Sequence, residues 1–119
     1  MKLPLLVCKL SAASAIAMLG SADPAHANSQ CGTAAYYDQG AMTANGETFD
    51  PGASTAAHPW LPLNSWVTVV DQDTGISTEV RINDRGPWDG ERILDMTPAV
   101  INIIDPNQTS DLRQVCIYW

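Results

Sequence analysis

The sequence predicts a small all-β domain, a closed or nearly closed barrel carrying one short helix, and three observations lead there. Trp66-Val67-Thr68-Val69-Val70 is rich in β-branched residues, and Ile76, Thr78, Val80 and Ile82 alternate in period two with Ser77, Glu79, Arg81 and Asn83. A single segment, opened by Thr97-Pro98, carries a helix start signal. The remaining elements are short and punctuated by Gly and Pro, with no repeats, low-complexity tracts or linkers. Short strands of this kind hide their edges by closing on one another.

Residues 1–27 read as a cleaved secretory leader. Lys2 and Lys9 precede an apolar, small-residue run from Leu10 to Gly20, and Ala25-His26-Ala27 fits the small-x-small cleavage pattern. Cys8 in Leu5-Leu6-Val7-Cys8 is a poor lipid-attachment site, because Val7 is bulky and the apolar run follows the cysteine. The run is shorter than the roughly 20 apolar residues of a membrane-spanning helix, and no later segment could span either. Residues 28–119 form one domain of 92 residues. Export places Cys31 and Cys116 in an oxidising compartment, where they are expected to form a disulfide near the two ends of the domain.

In chain order, Gly32–Tyr37 is expected as a strand. Asp38–Ser54 follows as a polar loop with turn signals at Asn45-Gly46 and Pro51-Gly52, a length that usually marks a functional or disordered segment. Trp66–Asn83 is expected as a β-hairpin turned by Asp71-Gln72-Asp73-Thr74-Gly75. Ile93–Met96 adds a short strand. Thr97 then caps a helix that has Pro98 in its first position, reaches Ile104 and stops before Pro106. Leu112–Tyr118 is the last strand, and Cys31 and Cys116 lie side by side if it pairs with the first.

Of the six Lys/Arg and thirteen Asp/Glu of the chain, Lys2, Lys9 and Asp23 fall in the leader, which leaves four arginines against twelve acids and a net charge of −8. Without a basic cluster the domain has no electrostatic footprint for nucleic acid or anionic lipid. A neutral or carbohydrate partner is easier to accommodate, although strong negative charge also serves solubility alone. Tyr36, Tyr37, Phe49, Trp60 and Trp88 flank the polar segments, and aromatic faces suit the apolar faces of sugar rings. Trp66, inside a strand, is expected in the core.

Titratable residues gather in two short segments. His58 ends Thr55-Ala56-Ala57-His58, and Asp84 stands in Asn83-Asp84-Arg85-Gly86-Pro87. The two read as opposite ends of one hairpin, with Glu47 on the loop upstream, and together they form a candidate acid/base cluster. The spacing of Glu47, His58 and Asp84 follows no compact metal-ligand motif, so neither a metal nor a cofactor is expected.

Thr43-Ala44-Asn45-Gly46-Glu47, Thr55-Ala56-Ala57-His58, Leu61-Pro62, Val80-Arg81-Ile82-Asn83-Asp84-Arg85-Gly86-Pro87 and Arg92-Ile93-Leu94-Asp95-Met96 resemble, in order, the motifs of the rare lipoprotein A (RlpA)-like double-psi β-barrel family. The resemblance covers Gly32 to about Ile104. It implies a six-stranded double-psi β-barrel, shared more distantly with expansins, barwin-like proteins and family-45 endoglucanases. It also implies a peptidoglycan lytic transglycosylase, which cuts glycan between N-acetylmuramic acid and N-acetylglucosamine and leaves a 1,6-anhydro end. Carried over residue by residue, Asp84 and His58 are the catalytic positions and Glu47 a third acidic one. Tyr37, Trp60, Trp88 and Arg85 complete the candidate substrate contacts. The family's Ser-Trp-Tyr-Gly segment here reads Ala35-Tyr36-Tyr37-Asp38, with an acid at a usual glycine position. The expected partner is a peptidoglycan strand in the periplasm, in the wall or outside the cell, and no feature argues for more than a monomer.

That reaction needs one acid to protonate the glycosidic oxygen and, as its conjugate base, to take the proton of the muramyl C6 hydroxyl while the ring closes. No water attacks, so one carboxyl serves where ordinary glycosidases use two. Asp84 is the expected acid, with a pKa raised by burial against Trp88 or by the Glu47 charge and opposed by Arg85 if that side chain turned inward. His58 is expected to orient the carboxyl or the substrate. A barrel that binds or loosens wall polysaccharide without cutting it, as expansins do, is the alternative. Asp73-Thr74-Gly75 also matches half of an aspartic protease site, but the chain has no second copy to supply the other aspartate.

Overall fold

The computed structural model describes residues 26–119; the expected leader lies outside them up to residue 25. The strands are β1 (Ser29–Tyr36), β2 (Thr55–Ala57), β3 (Trp66–Asp71), β4 (Ser77–Asp84), β5 (Arg92–Met96) and β6 (Arg113–Tyr118), with helix α1 (Pro98–Ile104) between the last two. They close into a six-stranded barrel in the order β1-β5-β2-β4-β3-β6, and β6 returns antiparallel onto β1. Two pairs are parallel, β1 with β5 and β2 with β4. No described helix is long and apolar enough to cross a membrane.

Period two decides what fills the barrel. Val67 and Val69 of β3, Val80 and Ile82 of β4, Leu94 and Met96 of β5, and Val115 and Ile117 of β6 are all buried. Fully burying side chains of this size contributes roughly 1.5–3 kcal/mol each. The same alternation corrects the expectation for Trp66, which is 56% exposed because its neighbour Val67 takes the inward position. It also turns Asp71 and Arg113 inward, where they meet.

The expected hairpin is present, with Trp66 opposite Arg81 and Val70 opposite Ser77. In β1 and β6, Cys31 stands opposite Cys116 and the two are joined in a disulfide. Helix α1 has Pro98 in its first turn and packs Val100, Ile101 and Ile104 into the core. Thr97 holds the capping position, but its hydroxyl donates to the Ala53 carbonyl (2.6 Å) instead of accepting from the helix. The threonine thereby ties the helix entry to the segment that leads into β2.

One strand was not expected. Thr55-Ala56-Ala57 is β2, fully buried, parallel to β4 on one side and antiparallel to β5 on the other. His58 follows β2 and so lies on a neighbouring strand end, not on the hairpin that Asp84 terminates.

Candidate functional site

The site forms where β2 ends. Ala57 stands opposite Asp84 of β4 on one side and Asp95 of β5 on the other, so a methyl group separates two carboxylate-bearing positions. Asp84 is half-buried. Its Oδ1 accepts from the backbone N–H of Ala44 (3.0 Å) and of Arg85 (2.9 Å), while no backbone or guanidinium donor among the described residues takes Oδ2. The carboxyl is thus held by one oxygen and open at the other.

The Ala44 donor is in place because of Glu47. The Glu47 carboxylate takes both ends of the Arg81 guanidinium (3.0 Å each) and the Asn83 amide (3.1 Å), which clamps the 43–47 turn onto β4. Asn45 N–H adds a bond to the Asn83 carbonyl (3.1 Å). The Arg81 and Asn83 hydrogen bonds hold the Glu47 carboxyl below the usual carboxylate range. Glu47 therefore acts as a charged anchor, and its negative charge is directed at Arg81. Trp88, the other neighbour expected to bear on Asp84, is 72% exposed.

His58 is fully buried, and both its ring nitrogens are engaged. Nδ1 accepts from the backbone N–H of Trp60 (3.2 Å) and Leu61 (3.1 Å), so the proton sits on Nε2 and is donated to Gln30 Oε1 (2.8 Å). Burial, with the Arg85 charge adding to it, lowers the imidazole pKa to about 4. The ring orders the 58–61 turn, and the only bond from His58 to Asp84 is backbone, His58 N–H to the Asp84 carbonyl (3.2 Å). The expectation that the imidazole itself orients the carboxyl is not met in this geometry. Arg85 is likewise turned away: Nη1 donates to the carbonyls of His58 (3.2 Å) and Leu61 (2.6 Å).

Trp60 is 59% exposed and packs edge-on against the His58 ring (4.8 Å between centroids) and Trp119 (5.8 Å). Trp88 borders a cleft of about 290 Å³ lined by Gln30, Pro59, Pro87, Arg92 and Ile93 among others. Gly86 enters this segment at φ +113°, which a side chain would strain. Arg92 links cleft and site, pairing with Asp89 (2.8 Å) and Asp95. Burial raises the Asp95 carboxyl, Arg92 opposes this, and the Asp89 charge adds to the rise. Tyr37 stacks on Phe49 (4.8 Å) beside Asp84. Asp38 lines a separate cleft with Tyr36 and Pro98. Among the described residues no group of three or more His, Cys, Asp or Glu is placed to hold a metal ion.

The family described as "Lytic transglycolase" matches residues 29–114. The chain belongs to this family. It is 42% identical over 92 residues to the "Endolytic peptidoglycan transglycosylase RlpA" of Pseudomonas aeruginosa strain PAO1, an alignment that covers 75% of this chain and 27% of that protein. The protein of the same name from Escherichia coli K12 is 39% identical over 88 residues, covering 71% and 24%. The chain thus spans about a quarter of the length of the curated relatives it matches. Among solved structures, the "Streptomyces papain inhibitor (SPI)" superposes with a TM-score of 0.62 at 19% identity, covering 81% of this chain and 97% of that one, a likeness of fold. The chain is thus a six-stranded double-psi β-barrel of the lytic transglycolase family, with one short helix and a Cys31–Cys116 disulfide.

Sequence reasoning missed Gln30, Arg81 and Asn83 as supports of the site. Arg81 and Asn83 read in the period-two run as outward polar residues, but Asn83 is buried, and their convergence on Glu47 appears only once the 43–47 turn folds back over β4.

Proposed function

We propose that this domain is an endolytic peptidoglycan lytic transglycosylase with Asp84 as its single acid/base. The reading is carried by one observation: Asp84 is the carboxyl whose Oδ1 is pinned by two backbone donors while Oδ2 stays open, whereas the neighbouring Glu47 is consumed by Arg81 and Asn83. The names of the relatives support the substrate and the reaction.

Protonated on Oδ2, Asp84 gives its proton to the glycosidic oxygen as the bond to the muramyl C1 breaks through an oxocarbenium-like transition state. The resulting carboxylate takes the proton of the C6 hydroxyl, whose oxygen bonds to C1, and the acid is restored with a 1,6-anhydro product. His58 is a positioning residue, fixing the turn that carries Trp60 and the carbonyls that hold Arg85. Trp60 and Trp88 provide exposed aromatic faces for sugar rings. The substrate places the domain outside the cytoplasm, at the cell wall.

The test is mass spectrometry of peptidoglycan, with and without stem peptides, after incubation with residues 28–119 and with the Asp84→Asn variant. Anhydromuramyl products are expected from the unaltered protein alone. If neither preparation cuts the glycan but both bind it, the domain is a wall-binding module of the expansin kind.

A further inference from the structure

Tyr37 follows β1, donates its backbone N–H to the Met96 carbonyl (2.9 Å) and lays its ring against Phe49. Its hydroxyl is buried and makes no hydrogen bond of ordinary geometry among the described residues, yet it lies close enough to the Asp84 carboxyl for a side-chain interaction with it to raise the tyrosine pKa. A buried hydroxyl without a partner lowers stability, so the fold alone gives no reason for the oxygen to be there; phenylalanine would pack as well. The unused donor lies beside the charges of Asp84 and Asp95. Asp84, for its part, presents an Oδ2 that no backbone or guanidinium donor takes, while Oδ1 already accepts two. The two deficits are complementary.

We propose that Tyr37 is a positioning residue for the reaction: its O–H donates to Asp84 Oδ2 when that oxygen is ionised and fixes the plane of the carboxyl relative to the glycan. The identity of the reaction rests on the transglycosylase reading above; the hydrogen bond does not. The tyrosine steers a proton without exchanging its own, because burial, followed by the Asp84 and Asp95 charges and the side-chain interaction with Asp84, pushes its hydroxyl pKa up to about 12. Asp84 alone loses and regains a proton in each turnover, and Tyr37 stays a neutral donor throughout. The hydroxyl also reaches the carboxyl from the β1 side, whereas the Ala44 and Arg85 amides hold the other oxygen, so the three donors together leave the carboxyl a single orientation.

Tyr37→Phe removes the hydroxyl and keeps the ring on Phe49. The expected result is a kcat for anhydromuramyl release lower by on the order of tenfold, an unchanged KM, and a melting temperature that is equal or higher. A second readout needs no activity: the ¹³Cζ resonance of Tyr37 should respond to the protonation of the Asp84 carboxyl, and Asp84→Asn should remove that response. An undiminished kcat in Tyr37→Phe overturns the proposal. So does a fall in melting temperature, which would make the hydroxyl structural, or a Tyr37 resonance that titrates identically in Asp84→Asn. If the unaltered protein releases no anhydro product, the transglycosylase reading fails, and the resonance alone then decides for or against the hydrogen bond.

Discussion

Asp71 closes β3 and Asp84 closes β4, so one hairpin carries an aspartate at each of its ends. At the Asp71 end the fold uses the whole carboxylate. Oδ1 accepts from the N–H of Asp73 and Thr74 and from Arg113 Nη2 (2.9 Å each), and Oδ2 accepts from Arg113 Nε (2.7 Å). Burial pushes this carboxyl up, but Arg113 and the N–H groups of Thr74 and Asp73 outweigh it and hold it below the usual range. Arg113 is itself buried and lies 3.4 Å from Asp105. At the Asp84 end two backbone donors occupy one oxygen, and Arg85 spends a guanidinium nitrogen on the carbonyls of the 58–61 turn. A carboxylate saturated with donors cannot gain a proton without losing a partner. One that is held by a single oxygen keeps its orientation and a free lone pair together, and that difference, more than residue type, is what the proposed role of Asp84 as the acid rests on.

Exchanging the amide for the acid at each end gives the largest effects and the most direct way to break the comparison. Asp84→Asn should lower glycan cleavage by about 10²- to 10⁴-fold and leave the urea midpoint nearly unchanged. Asp71→Asn should do the reverse. It leaves Arg113 buried without its main counter-charge, at a cost of about 3–5 kcal/mol, while each molecule that remains folded cuts normally. An Asp84→Asn domain that unfolds, or an Asp71→Asn domain of undiminished stability, would mean that the two ends do not differ as described.

The anchored end also carries the covalent link, since Val70 of β3 stands opposite Cys116. Cys31 and Cys116 are 85 residues apart in sequence, and in the chain-entropy picture a loop of that length is worth about 4–5 kcal/mol. The paired Cys31→Ser, Cys116→Ser variant should melt well below the unaltered protein. Reductant should bring the unaltered protein down to the same temperature and leave the variant where it is; thermal unfolding with and without dithiothreitol would settle this.

These effects differ in how far the sequence announces them. The disulfide, the hairpin and the helix are written in local signals: two cysteines outside the leader, period-two alternation around a turn, and Thr97-Pro98. Strand β2 is three small residues long, too short for any periodicity, and it becomes a strand only because β4 and β5 flank it. The Asp71 anchor is hidden for another reason. Its partner lies 42 residues away, so the aspartate reads as a turn residue until the inward row of Val67 and Val69 is extended by one step. That same row would have placed Trp66 outside. Within the site, Glu47, His58 and Asp84 are nameable from their motifs, but their division of labour depends on which lone pairs are already taken.

His58 supplies a third, smaller effect that separates the two ends by pH. Its folded pKa of about 4 lies below the ordinary 6.5, so between those values the unfolded chain binds a proton that the folded chain does not. Stability therefore rises with pH across that window, by up to about 3 kcal/mol, and is lost as the solution is acidified from pH 6.5 towards 4. The Asp71 contribution is present above its unfolded value near 3.8 and disappears only as pH falls through its still lower folded value. Urea midpoints at several pH values should show two successive acid losses. His58→Asn should flatten the first and leave the second.

The smallest expected effect concerns the tryptophans, which allow the open end to be mapped. Trp88 and Trp66 are both largely exposed, at 72% and 56%, so truncating either should leave stability almost untouched. Trp88 borders the cleft that Arg92 connects to Asp95, whereas Trp66 stands on the outer face of β3 opposite Arg81. An aromatic face against a sugar ring is worth about 1 kcal/mol, or roughly a fivefold change in affinity. Trp88→Ala should weaken glycan binding by that factor in a calorimetric titration with a soluble muroglycan, and Trp66→Ala should leave it within about twofold. Equal losses would extend the glycan path over the outer face of β3, towards the Arg81–Glu47 clamp. No loss from Trp88→Ala would leave the glycan held by the Asp84 end alone.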